Sequence, residues 1–251
     1  MAILGIDVGG SGIKIATVDV DNGALLSEKI RVVTPQPATP NSIAREIKSL
    51  AEHHHWQGPV GIGFPSSVQH GIVRTAANID KSFIGLAINQ YFSSHCQLPV
   101  HVINDADAAG LAEMRFGAGK NHPGVVLIIT IGTGLGTALF SGGHLLPNTE
   151  LGHILLNNGH EAEHYASESV RANKGLSWEV WGERFNHYLK TMEKLLWPDL
   201  IILGGGASTK LNKFSKSLTT KAPVVAASFL NQAGIVGAAI YAKEMIAAES
   251  D

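Results

Sequence analysis

The 251-residue chain has a single cysteine, Cys96, which excludes an internal disulfide and any multi-cysteine zinc site and makes a reducing cytoplasm the expected location. Charge is sparse as well: 16% of residues are Asp, Glu, Lys or Arg, and the net charge is −2. Such a chain has no global positive field for nucleic acid or an anionic membrane, so neither is expected as a partner. Any anion must be held by local groups. No run of about 18 apolar residues occurs, and no basic stretch precedes an apolar segment at the N-terminus, so neither a membrane-spanning helix nor an export signal of that type is expected. The 45% hydrophobic content suffices for one large core or two small ones.

Glycine is what the chain has in number, 28 in all, and it clusters in three turns that each follow an apolar run: residues 3–15 (ILGIDVGGSGIKI), 127–140 (LIITIGTGLGTALF) and 200–208 (LIILGGGAS). Without a Cβ, successive backbone N–H groups can converge on an anion. One such turn is weak evidence; three point to a phosphate cradle.

Around the turns the pattern alternates strand and helix. Residues 2–33 read as an antiparallel meander with a turn at Asp21-Asn22-Gly23. Asn41 or Ser42 is the expected cap of an amphipathic helix (Ile43, Ile47, Leu50, Ala51) that runs to about His54. Strands are expected at 60–64 and 99–103, with Pro65-Ser66-Ser67 and a small hairpin at Gly71-Ile72-Val73 between them, a helix at about 86–95, and an alanine-rich helix from Asn104-Asp105-Ala106-Asp107 to about Phe116. Beyond Gly124 the strand, glycine turn, strand pattern returns, followed by helices at 177–196 and 232–248 around strands at 200–203 and Val224-Val225. The repeat implies two related lobes. The expected division is an N-terminal lobe, 1–106, joined by the C-terminal helix 233–251, and a C-terminal lobe, 107–232, hinged near Asp107.

The first turn, Asp7-Val8-Gly9-Gly10-Ser11-Gly12-Ile13-Lys14, has neither G-x-G-x-x-G spacing nor a P-loop ending, and Gly117-Ala118-Gly119-Lys120 also fails as a P-loop. It does offer a carboxylate for a metal–phosphate group (Asp7) and a positive charge (Lys14). Asp105, at a strand end and a helix start, suits a base that orients an acceptor hydroxyl for phosphoryl transfer, while one of Asn104, Asp105 and Asp107 is expected to serve only as a helix cap. His160-Glu161-Ala162-Glu163-His164 matches the H-E-x-x-H zinc-protease pattern, with His153 as a third ligand, but the helix it needs is too short. The run His53-His54-His55 reads as a solvated helix end, and Trp178, Trp181, Phe185 and Leu189 as a core or partner face. Lys210, Lys213 and Lys216 are spaced for one face of a helix.

Together these residues resemble the ROK family of sugar kinases. The resemblance implies an α/β, two-lobed, actin-like and hexokinase-like (ribonuclease H-like) phosphotransferase fold with a central cleft. Asp7, Gly9, Gly10, Ser11, Gly12 and Lys14 match the first phosphate loop, and Asn104-Asp105 the catalytic pair, with Asp105 as general base and both residues in contact with the sugar. Gly132, Thr133, Gly134 and Gly136 match the second phosphate loop. Glu150-Leu151-Gly152-His153 matches the E-x-G-H sugar motif, Glu163 in Glu163-His164-Tyr165-Ala166-Ser167 a second sugar-binding glutamate, and Gly204-Gly205-Gly206 the donor-side turn. Ser66 and Asn78 are further sugar-contact candidates, Ser66 standing where relatives usually have Pro-Gly. The cysteine-rich zinc motif of most relatives is missing between His153 and Glu163, so no zinc is expected.

Within the family, residues 176–179, 197–199 and 231–238 are most similar to polyphosphate glucokinases. That implies transfer from inorganic polyphosphate or ATP to the 6-hydroxyl of glucose, with Mg²⁺ carried mainly by the donor phosphates and Asp7 as a further candidate ligand. A homodimer is expected from the aromatic helix around Trp178. The alternatives are an ATP-only hexokinase that accepts glucose and mannose, and a sugar-sensing regulator. The latter would carry an added DNA-binding module, for which the sequence before the first phosphate loop leaves no room.

Overall fold

Two mixed sheets carry the structure, and each opens as an antiparallel hairpin. The computed structural model describes residues 1–77 and 79–250, so the sugar-contact candidate Asn78 lies outside the described residues. The chain divides into one unit of Met1–Ala112 with Gln232–Asp251 and another of Glu113–Asn231.

The first unit contains β1 (Ala2–Val8), β2 (Ile13–Asp19), β3 (Ala24–Leu25), β4 (Ile30–Val32), α1 (Pro40–His53), β5 (Val60–Phe64), the small hairpin β6 (Val68–Gln69) and β7 (Ile72–Val73), α2 (Ile88–Cys96), β8 (Val100–Asn104) and the start of α3 (Asp105–Phe116). Its sheet runs β3-β2-β1-β5-β8, with β4 also on β2. β1 is antiparallel to β2 and parallel to β5, which is parallel to β8. Strand alternation then sorts the faces. Leu4, Ile6 and Val8 join Val60, Ile62 and Phe64 under Ile43, Ile47 and Phe92 of α1 and α2, all buried in one core. At full burial each such side chain contributes about 1.5–3 kcal/mol.

The α1 cap differs from expectation. Thr39, not Asn41 or Ser42, is the N-cap: its hydroxyl accepts from Ser42 N–H at 3.3 Å, and Ser42 Oγ accepts from Thr39 N–H at 2.9 Å. Pro40 at the first helical position fixes this start, because its missing N–H would have no intrahelical partner anyway.

The second unit repeats the plan with β9 (Val125–Ile131), β10 (Leu135–Ser141), β11 (His144–Leu146), short helices α4 (Ala162–Ala166) and α5 (Glu168–Asn173), the long α6 (Trp178–Leu196), β12 (Leu200–Gly204) and β13 (Val224–Ala226). Its order is β11-β10-β9-β12-β13, with β9 antiparallel to β10 and parallel to β12. Leu127, Ile129, Ile201 and Leu203 pack with Trp181, Phe185, Tyr188 and Leu189 of α6, so the aromatic stripe is core. Trp181 lies 5.1 Å from Phe185 and 4.9 Å from Phe214, and its indole N–H donates to the carbonyls of Ala166 (3.1 Å) and Ser167 (3.0 Å). That bond satisfies the one polar group of the ring and ties α6 to the α4–α5 junction.

Two buried carboxylates complete this unit. Glu113 accepts backbone N–H from Ala118 (2.9 Å), Ser228 (3.0 Å) and Phe229 (2.7 Å). Glu193 on α6 pairs with Lys190 at 2.6 Å and accepts from the N–H groups of Lys221 and Ala222. The lysine row does not form one α-helical face: Gly206–Lys213 and Ser215–Ser217 are 3₁₀ turns, kinked at Lys210. Ser208 and Thr209 hydroxyls bond back to the carbonyls of Gly205 (2.8 Å) and Gly206 (2.9 Å), which tightens the segment.

The last helix, α7 (Ala233–Ser250), returns to the first unit and lies on the other face of its sheet. Gly5 and Gly61 permit this approach, since a Cβ at either would overlap the backbone carbonyl of Ile235 or Ala238. Among the described residues no helix is long and apolar enough to cross a membrane.

Candidate functional site

Parallel strands place loops of like function at one sheet edge, and both units use the carboxyl ends of their strands. In the first unit those ends are Val8, Phe64 and Asn104. The first glycine turn is closed by Gly9 N–H donating to the Gly12 carbonyl at 3.0 Å. Two side chains not foreseen from sequence support it. Thr34 Oγ1 donates to the Gly9 carbonyl at 2.5 Å, and the Arg31 guanidinium donates to the Ser11 carbonyl at 3.2 Å, occupying space that a Cβ at Gly12 would claim. Asp7 and Lys14 face each other across the β1–β2 register and pair at 2.7 Å. The Asp7 carboxylate also lies against Gly234 at the start of α7, where the helix dipole favours negative charge. Lys14 thus balances the Asp7 carboxylate within the hairpin itself. Gly10 and Ser11 are exposed at the tip.

Asn104 ends β8 and caps α3. Its Oδ1 accepts from Ala106 N–H (2.9 Å) and Asp107 N–H (3.0 Å), and its Nδ2 donates to the Ser66 carbonyl at 3.2 Å. Asp105, half-buried, has Oδ1 on Ala106 N–H at 2.8 Å. With the capping done by Asn104, Asp105 stands at the first position of α3 beside the Asn104–Ser66 link. Ser66 is buried and its hydroxyl donates to the Thr75 carbonyl at 2.5 Å.

In the second unit Ile131 and Gly204 end neighbouring parallel strands, so the second and third glycine turns lie side by side. Gly205 takes φ +75°, and a Cβ there would overlap the Ile131 backbone, so only glycine fits. The second turn is closed by Gly132 N–H to the Gly134 carbonyl (3.1 Å). It is held by Ser169, whose N–H donates to the Gly132 carbonyl (3.2 Å) and whose hydroxyl donates to the Thr133 carbonyl (2.6 Å). Gly136 follows within β10. Glu163 reaches the same turn: a Cβ on Gly134 would collide with its Oε2.

Glu150 precedes and His153 ends a 3₁₀ turn, Leu151–His153, set against β10 by Leu151 N–H donating to Thr137 Oγ1 at 3.0 Å. His153 Nε2 faces Glu150 Oε2 at 3.7 Å, and its Nδ1 lies 3.7 Å from Glu163 Oε1 and hydrogen-bonds Glu161 Oε1. Burial lowers the His153 pKa, but the Glu161 hydrogen bond and the charges of Glu163, Glu161 and Glu150 outweigh it and hold it above its ordinary value. The ligand atoms of His153, Glu161 and Glu163 lie within 4.8 Å of one another, a donor set able to hold a divalent ion. The H-E-x-x-H geometry does not form: α4 begins at Ala162, leaving His160 outside the helix and stacked on Tyr165 at 5.6 Å.

Two hairpin-led sheets with glycine turns at their carboxyl edges are the hallmark of the actin-like, hexokinase-like phosphotransferase fold. The ROK family pattern matches residues 3–169, and the chain belongs to that family. It is 47% identical to the polyphosphate glucokinase of Mycobacterium tuberculosis over 94% of this chain and 89% of that protein. The crystal structure of an inorganic polyphosphate/ATP-glucomannokinase from Arthrobacter sp. strain KM superposes with TM-score 0.93 at 44% identity, covering 97% of this chain and 99% of that one. A ROK family glucokinase from Streptomyces griseus, solved with glucose and AMPPNP, gives TM-score 0.82 at 28% identity, covering 97% of this chain and all (100%) of that one.

Proposed function

We propose that the chain is a polyphosphate-dependent glucokinase that transfers the terminal phosphoryl group of inorganic polyphosphate to the 6-hydroxyl of glucose. The observation that carries this reading is the 47% identity to a polyphosphate glucokinase over 94% of the chain. The site residues agree with it chemically. Phosphoryl transfer needs little covalent chemistry from the protein beyond positioning, charge stabilisation and a base near the acceptor. Asp105 is that base, drawing the proton of the 6-hydroxyl. Glu150, His153 and Glu163 recognise other sugar hydroxyls, with Asn104 fixing the Asp105 backbone and Asn78 a further contact. Backbone N–H groups of the first two glycine turns stabilise the equatorial oxygens of the transferring group. Gly204 to Gly206 serve the distal donor.

Mg²⁺ bound by the donor phosphates would neutralise their developing charge, and Asp7, a hard oxygen donor, is the carboxylate suited to hold it. The protein is read as cytoplasmic and homodimeric, without nucleic-acid or membrane partners. The similarity to a glucomannokinase favours mannose as a second acceptor.

The test is a coupled assay for hexose 6-phosphate with polyphosphate or ATP as sole donor, repeated with mannose. Polyphosphate is expected to sustain turnover on glucose. Turnover with ATP alone would replace this reading by that of an ATP-only hexokinase.

A further inference from the structure

One member of His160-Glu161-Ala162-Glu163-His164 has no part in the proposed sugar site, yet it touches that site directly. We propose that Glu161 is a positioning residue: its carboxylate holds the His153 ring through Nδ1–H, so that Nε2 is the ring atom presented to a sugar hydroxyl beside Glu150. The functional half of this proposal rests on reading His153 as a sugar contact.

Geometry carries the assignment. An ionised carboxylate only accepts hydrogen bonds, so the contact between Glu161 Oε1 and His153 Nδ1 places the proton on Nδ1. The opposite ring nitrogen, Nε2, lies 3.7 Å from Glu150 Oε2, beyond hydrogen-bond reach, and both groups are part-exposed. A hydroxyl at this place would meet Nε2, the ring atom that the Glu161 contact leaves facing outward. Glu161 is itself held from several sides. Its Oε2 is 3.1 Å from His164 Nδ1, and its backbone bridges Leu155. Ala162 N–H donates to the Ile154 carbonyl (3.0 Å), and Leu156 N–H donates to the His160 carbonyl (2.8 Å). The loop between His153 and α4 thereby folds back and returns Glu161 to the imidazole eight residues earlier. With one ring nitrogen anchored, the ring cannot flip to offer Nδ1 to the sugar instead.

Ring ¹⁵N–¹H correlation spectra of the intact protein, assigned through His153→Gln, are expected to show the His153 proton on Nδ1 before sugar is added. Glu161→Ala is expected to lose that signature and to raise the glucose KM about tenfold, the effect of one hydrogen bond to a charged group, with kcat and donor KM within about twofold. Glu161→Gln, whose carbonyl can still accept from Nδ1, is expected to recover most of the affinity. An unprotonated Nδ1, or a glucose KM unchanged in Glu161→Ala while His153→Gln raises it, would overturn the assignment of Glu161. A glucose KM unchanged in His153→Gln would instead remove the sugar-site reading, and the spectra still report the pair. Stoichiometric divalent metal in the purified protein that is lost in Glu161→Ala would make Glu161 a metal ligand and end the proposal. Should Glu161→Ala fail to fold, the native spectrum and Glu161→Gln decide the matter.

Discussion

The two units repeat one strand plan and close it by different physics. The first leaves side chains out: Gly5 and Gly61 on the sheet and Gly237 on α7 bring backbones together, and a Cβ at Gly237 would overlap the Ala108 carbonyl of α3. The second keeps full-sized aliphatic strands, packs them with the aromatics of α6, and fastens its loops with the buried carboxylates of Glu113 and Glu193. Steric closure is indifferent to pH, whereas closure by Glu193, whose folded-state pKa is held below its ordinary value, weakens in acid. The proposed site residues divide along the same line. Asp105, the proposed base, is in the sterically closed unit, and Glu150, His153 and Glu163 are in the one rich in carboxylate contacts.

That division is tested most severely by Asp105→Asn. Loss of a general base is expected to lower kcat by about 10³-fold or more while glucose still binds, measured by coupled assay and calorimetry. Glu150→Gln is expected to do the reverse. It raises the glucose KM by about 10–100-fold, as loss of a hydrogen bond to a charged acceptor does, with kcat little changed. Equal effects of the two variants on kcat would break the comparison.

A smaller effect sharpens the structural side. Gly61→Ala forces a methyl group into the Ala238 carbonyl, and overpacking of this kind costs about 1–3 kcal/mol or more. Denaturant melts at neutral and mildly acidic pH are expected to give the same loss, because no titrating group is involved. A loss that changes with pH would show that charge contributes to closure of this unit.

Much of the two-unit strand plan was legible in the sequence because its signals are local. Alternation and glycine spacing located β1, β2, β5, β9 and β10, and the E-x-G-H and Asn104-Asp105 motifs lie at the strand ends and turns where the chain was expected to place them. What escaped depends on contacts distant in sequence. Arg31 and Thr34 reach the first turn from some twenty residues away, and Ser169 reaches the second from beyond α4. Glu113 bonds Ser228 and Phe229 more than a hundred residues on, which no local pattern announces. Glu161 was visible only as part of a protease motif, since its true partner, His153, is eight residues back across a loop. The lysine row misled because spacing reports a helix face only if the segment is an α-helix, and Ser208 and Thr209 make it 3₁₀.

Glu193→Gln tests the other side of the comparison with the smallest effect, and its sign follows from the carboxyl's surroundings. Burial pushes the Glu193 pKa up, but Lys190 and the N–H groups of Ala222 and Lys221 outweigh it and hold the folded-state value below the ordinary one. The group therefore adds stability that is fully present above its unfolded pKa, about 4.3 for a glutamate, and lost as pH falls through the lower folded value. At neutral pH the substitution is expected to cost about 1–3 kcal/mol, because a neutral amide cannot replace an ionised acceptor shared by two N–H groups and a lysine. As pH falls through that lower folded value the wild-type carboxyl is itself protonated, so the gap between the two proteins in denaturant titrations closes. A gap that stayed constant across that range would mean that Glu193 holds α6 by shape, as the glycines hold α7, and the two units would then close by the same means.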